Sequence, residues 1–164
     1  MSDAVATPPP CRGLVAYALI AGVVSLAGSM VLAGSADAIA RAFGIESPTD
    51  GMPEWSVGWV DLAGLVVFAP VVETLLLSAL LWGLARVIAS PVRVAAVSAL
   101  LWGGLHGAVA PMWFFGTVWA FFVFSYAYLA WRPRSYRHAF AAAALPHAMQ
   151  NAAAFGLLAL ASTS

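Results

Sequence analysis

Val71-Val72-Glu73-Thr74-Leu75-Leu76-Leu77-Ser78 places a carboxylate in the middle of an apolar run. Glu73 is the only carboxylate in the interior of any such run in these 164 residues, Asp61 lying close to the start of the same run. Its run extends from about Gly58 to Val87, and four others surround it: about 13–33, 91–110, 111–131 and 139–161. Each is long enough to cross a hydrocarbon core of about 30 Å, which takes roughly 20 helical residues. The composition agrees, with 63% apolar residues, 9% charged residues and a mean hydropathy of +0.92. Soluble domains carry about a quarter charged residues. The fold class is therefore all-α, a polytopic membrane bundle of about five transmembrane helices. A net charge of zero argues against nucleic acid as a partner. The single cysteine, Cys11, rules out an intrachain disulfide framework.

The regions between the runs set the expected organisation. Residues 1–12, with Pro8-Pro9-Pro10, read as a disordered leader. Run 13–33 reads as a signal anchor, because its apolar stretch exceeds the roughly 7–15 residues of a cleavable signal. Residues 34–57 read as an extracytoplasmic loop, in which Ala36–Phe43 can form a short interfacial helix. Ser47–Pro53 is turn chemistry. Residues 58–161 form the four-helix core, and Pro70 is expected to kink its first helix just before Glu73. Trp59, Trp82 and Trp131 lie near run ends, where interfacial belts occur. Six of the seven arginines fall on one side if the chain crosses five times, Arg41 being the exception. That asymmetry predicts a multi-pass protein of the cytoplasmic membrane, its N-terminus cytoplasmic and its C-terminus outside.

A charge at the bilayer centre costs about 2.5–3.5 kcal/mol on insertion scales, so intramembrane polar residues invite a functional reading. Besides Glu73 the candidates are His106, one turn after Trp102, and His147 with Gln150 and Asn151. His147 and Asn151 share a helix face at i, i+4 spacing. Gly103 and Gly107 form a small-xxx-small pair that admits a close neighbour helix. Taken singly, each polar residue also fits a structural role as an interhelical hydrogen-bond partner. Their depths coincide, however. Glu73 lies 13 residues before Arg86, His106 lies 13 after Arg93, and His147 lies 10 after Arg137. At 1.5 Å per residue these are roughly 20, 20 and 15 Å from the arginine-bearing side. A carboxylate, two imidazoles and a carboxamide at one level form a toolkit for hydrolysis. Glu can take a proton from water, and His and Asn donors can stabilise an oxyanion. The Glu73/His106/His147 set can instead hold a divalent metal such as zinc with an open position. No cofactor is firmly implied, since no His-Glu-x-x-His motif is present.

These residues carry a resemblance. Glu73-Thr74-Leu75-Leu76-Leu77-Ser78, Trp102-x-x-x-His106 and His147-x-x-x-Asn151 resemble, in order and spacing, the three motifs of the CPBP family. These are the CAAX-protease and bacteriocin-processing (Abi) intramembrane proteases, whose pattern is Glu-Glu-x-x-x-Arg, Phe-x-x-x-His and His-x-x-x-Asn or Asp. The resemblance covers roughly residues 58–161. It implies an intramembrane endopeptidase acting on a membrane-associated or lipidated protein or peptide within the lipid bilayer. It also implies catalytic roles for four residues. Glu73 would activate water with help from His106, while His147 and Asn151 would bind the oxyanion. Thr74 stands where the family has its second Glu, Ser78 where it has Arg, and Trp102 where it has Phe. Those departures keep open a catalytically silent protein of the same fold, binding a peptide or lipid or conferring bacteriocin immunity. An ion or proton pathway also uses such side chains, although no two-fold repeat is visible.

Overall fold

The computed structural model describes residues 13–45 and 58–162. The leader, Cys11, the Ser47–Pro53 turns and the rest of the loop through residue 57 lie outside the described residues. Five long helices account for nearly all of what is described: α1 (Leu14–Ala42), α2 (Trp59–Leu84), α3 (Pro91–Val109), α4 (Trp113–Trp131) and α5 (Tyr136–Ala161). There is no strand among the described residues. The first four helices are long and apolar enough to cross a membrane. α5, with 26 residues, has the length as well. Its apolar character is diluted by Arg137, His138, His147, Gln150 and Asn151, and several of these are spent on contacts inside the bundle. The protein is thus an integral, multi-pass membrane protein with an all-helical fold.

Local chemistry explains most helix ends. α3 begins with Pro91 at its first turn and Ser90 as N-cap, its hydroxyl accepting from the Arg93 N–H at 3.5 Å. α5 begins in the same way on Ser135, which accepts from the His138 N–H at 3.2 Å. α1 differs from the sequence expectation. The separate interfacial helix over 36–43 is instead the end of α1, which runs unbroken through Gly34. Asp37 and Arg41, one turn apart and 2.8 Å from each other, support that last stretch. The stop comes at Gly44, whose φ of +69° few other residues tolerate. There the Ile45 N–H bonds to the Ala40 carbonyl and the Gly44 N–H to that of Arg41, the paired closure of a Schellman cap.

α4 is the central helix and packs on α1, α3 and α5. It faces protein on so many sides that its apolar residues show no single stripe. Gly103 and Gly107 on α3 face it closely. A Cβ at Gly103 would lie 3.1 Å from Val118, and one at Gly107 would lie 3.0 Å from the Phe114 Cβ. Trp131, expected at the interface, is fully buried instead. It stacks on His138 at 6.1 Å and meets Tyr17 of α1 edge-on at 5.6 Å. Trp59 and Trp82 are exposed, as interfacial residues should be.

α1 is fastened to this core by polar bonds. The Trp119 indole N–H donates to the Val24 carbonyl at 3.0 Å. Ser25 donates to the Gln150 carboxamide oxygen, and the Gln150 amide donates to Ser29 at 3.1 Å. Gly28 makes the first of these bonds feasible, since a Cβ there would sit 2.0 Å from the Trp119 indole nitrogen. Gly28→Ala is expected to destabilise the bundle by about 1–3 kcal/mol through overpacking, despite the better helix propensity of Ala. Gly34→Ala, with nothing within 4 Å of the new Cβ, serves as the control in a thermal unfolding comparison. Equal melting temperatures for the two variants would refute this account of α1 docking.

Candidate active site

Pro70 shapes the helix that carries Glu73. Just before it, Gly64–Phe68 form a π-helical segment, and the α-helical pattern resumes at Ala69. The Ala69 N–H bonds to the Gly64 carbonyl five residues back. The next bond in that register would run from residue 70 to Leu65, but proline has no N–H to give. The Leu65 carbonyl is satisfied from another helix, by the Asn151 amide of α5 at 2.8 Å. The irregularity therefore precedes Pro70 and takes the form of a widened turn, a feature frequent at functional sites.

One turn beyond Pro70, Glu73 faces two imidazoles. Its Oε2 lies 4.0 Å from His106 Nε2 on α3 and 3.7 Å from His147 Nε2 on α5. Three helices thus bring Glu73, His106 and His147 together. Oε2 is buried without a hydrogen bond, whereas the Glu73 and His106 side chains each remain 24% accessible. His147 is almost enclosed, at 6%. The His106 Nδ1 lies 2.9 Å from the Trp102 carbonyl, and because a carbonyl only accepts, Nδ1 carries the proton. This leaves Nε2 of a neutral His106 as a lone pair directed toward the carboxylate.

Aromatic residues of α4 fix both rings, and nothing in the sequence singled them out. Phe121 lies 5.3 Å from His106 and 5.5 Å from His147, and it stacks on Trp102 at 4.6 Å. Phe124 stacks on His147 at 4.8 Å. Both phenylalanines are buried. The signal available was only the four-residue distance of Phe124 from Ala120 and Tyr128, in a helix that is apolar on every face.

Asn151 reaches the same end of α5 but is partly committed. One amide hydrogen serves Leu65, and the second remains for another acceptor. Gln150, grouped with it in the sequence, turns the other way to α1. Thr74 is 1% exposed and points into the bundle, a position where a second Glu would be a buried charge. Ser78 donates to the Leu75 carbonyl at 2.7 Å. Among the described residues no group of three or more His, Cys, Asp or Glu side chains is arranged to hold a metal ion.

A family model described as type II CAAX prenyl endopeptidase, Rce1-like, matches residues 54–153, well over half of the chain. The chain belongs to that Rce1-like family. It is a family of CAAX-type membrane proteases, consistent with the resemblance to CPBP proteins in the three motifs. The matched segment contains Glu73, His106, His147 and Asn151 as well as the α4 aromatics, and it leaves α1 outside. No curated protein and no solved structure matches the chain.

The Asn151 pairing gives a prediction that separates structure from chemistry. Asn151→Ala removes the donor from Leu65, and a buried unpaired carbonyl costs about 1–3 kcal/mol. Asn151→Ala combined with Pro70→Ala returns an N–H to position 70 within α2. The double variant is expected to recover most of the stability lost by the single one. Thermal unfolding of both checks this, and no recovery in the double variant would contradict the link between Pro70 and Leu65.

Proposed function

We propose that this protein is an intramembrane endopeptidase that cleaves a peptide bond of a membrane-associated or lipidated protein or peptide. The reading is carried by one observation: a carboxylate and two imidazoles from three helices converge within 4.0 Å inside an apolar bundle. Glu73 accepts a proton from water, and the oxygen attacks the scissile carbonyl carbon. The Nε2–H of His147 and the second amide hydrogen of Asn151 donate to the developing oxyanion. His106, anchored through Nδ1 to Trp102, offers its Nε2 lone pair to the same proton. The proton then passes to the amine nitrogen as the carbon–nitrogen bond breaks, and Glu73 is restored.

In this reading α5 makes the fifth crossing, the N-terminus is cytoplasmic, and the substrate reaches the site within membrane lipid. The test reconstitutes the chain in phospholipid vesicles with a prenylated peptide ending in a CAAX sequence, the substrate type in the family's name. Cleavage is followed by mass spectrometry in the parent, Glu73→Gln and His106→Ala. Unchanged activity in both variants would sink the proposal. Thr74 and Ser78 favour a second reading, a non-catalytic binder of peptide or lipid on the same fold. That reading requires biological activity to persist in Glu73→Ala.

A further inference from the structure

Charge divides abruptly at the site. From Thr74 to Ser164 the chain has five arginines, at 86, 93, 132, 134 and 137, and no Asp or Glu. At the arginine-bearing end, α2, the end of α4 and the start of α5 enclose a cavity of about 320 Å³. Its lining includes Ser78, Trp82, Tyr128, Leu129, Arg132 and Tyr136. None of Glu73, His106, His147 and Asn151 lines it. Ser78 lies five residues beyond Glu73, about 7.5 Å along the helix.

Arg132 supplies the charge in this lining. A second guanidinium, that of Arg86, lies 3.3 Å over the ring of the lining residue Trp82. Among the described residues no carboxylate pairs with either arginine. The Tyr128 hydroxyl neighbours both Ser78 and Arg132. The remaining wall, with Leu81, Trp82 and Leu129, is apolar, and Trp82 is 60% exposed toward the surroundings of the bundle. We propose that this cavity binds one anionic phospholipid, its phosphate at Arg132 and an acyl chain along Trp82 and Leu129. A guanidinium fork matches phosphate geometry and is retained where planar, paired recognition is needed. Tyr and Trp suit the depth at which headgroup and chain meet. Uncompensated positive charge selects an anionic headgroup over a zwitterionic one, which brings its own cation. A soluble anion uses the guanidinium but gains nothing from the apolar wall. The site is independent of the proteolytic reading and stands or falls separately.

The test is lipid titration of the detergent-solubilised full chain, read by native mass spectrometry. Dioleoylphosphatidylglycerol is expected to half-saturate the protein at roughly five- to tenfold lower concentration than dioleoylphosphatidylcholine. Arg132→Gln removes that preference, whereas Arg93→Gln, at the same end but outside the lining, keeps it. Arg132→Lys retains the charge without the fork and keeps part of the preference. Should Arg132→Gln not accumulate as folded protein, the Lys variant carries the test, and undiminished preference in it overturns the proposal. Equal losses in Arg132→Gln and Arg93→Gln indicate diffuse attraction and overturn it too. So does displacement of the phospholipid by equimolar inorganic phosphate.

Discussion

Glu73→Gln is expected to lower peptide-bond cleavage by about 10²–10⁴-fold, the range contributed by a positioned general base, while the bundle stays folded. Gln has the same shape but cannot take the proton. Its amide can donate where the carboxylate could not, toward the His106 Nε2 lone pair 4.0 Å from Oε2. The melting temperature should therefore equal or exceed that of the parent. Loss of activity with no loss of stability is the signature of a residue kept for chemistry at the expense of the fold. A marked drop in melting temperature together with activity would instead make Glu73 a structural carboxylate. The measurement pairs vesicle cleavage rates with thermal unfolding of the same preparations.

His147→Phe is expected to cost about 10²–10³-fold in cleavage rate, as removal of an oxyanion donor does. Phenylalanine preserves the stack on Phe124 and the edge contact with Phe121, so the pocket stays filled. His147→Ala loses the same donor but also the packing, and it should fall further in stability than His147→Phe. If the two residues act in one step, the Glu73→Gln, His147→Phe double variant should be scarcely slower than the worse single variant. Full multiplicativity of the two losses would show that they act separately. A His147→Phe variant with parental kcat would remove His147 from the chemistry altogether.

The polar members of the site were legible because each breaks an apolar run at a cost, and helical spacing gives their faces and depths. Glu73, His106 and His147 were found in that way, and their convergence needed only a rise per residue. What the sequence left hidden depends on neighbours. Gln150 and Asn151 read as one group, yet successive residues on a helix point roughly 100° apart. They serve α1 and α2 respectively. Phe121 and Phe124 sit in a helix apolar on every side, where no periodicity distinguishes a ring that holds a histidine from one that fills space. Trp131 lies at a run end but faces Tyr17 of another helix, and burial of that kind is a property of the assembled bundle. Gly34 does not end α1, because a helical glycine is tolerated. The terminating signal was the glycine at position 44, followed by a residue able to close the cap.

The bonds between α1 and the core limit where this protein can be cut. Sequence kinship begins at residue 54, which invites the view that what precedes it is an accessory. Taking away Leu14–Ala42 would strand the Trp119 indole and both ends of the Gln150 carboxamide against hydrocarbon. Neither lipid nor any remaining helix face supplies what those groups give up. Gln150 is also covalent neighbour to the residue that holds Leu65, so its rearrangement would be felt one peptide away, at Asn151. The segment shared with relatives is therefore smaller than the unit that folds, and a minimal protease engineered from this chain has to begin before Leu14.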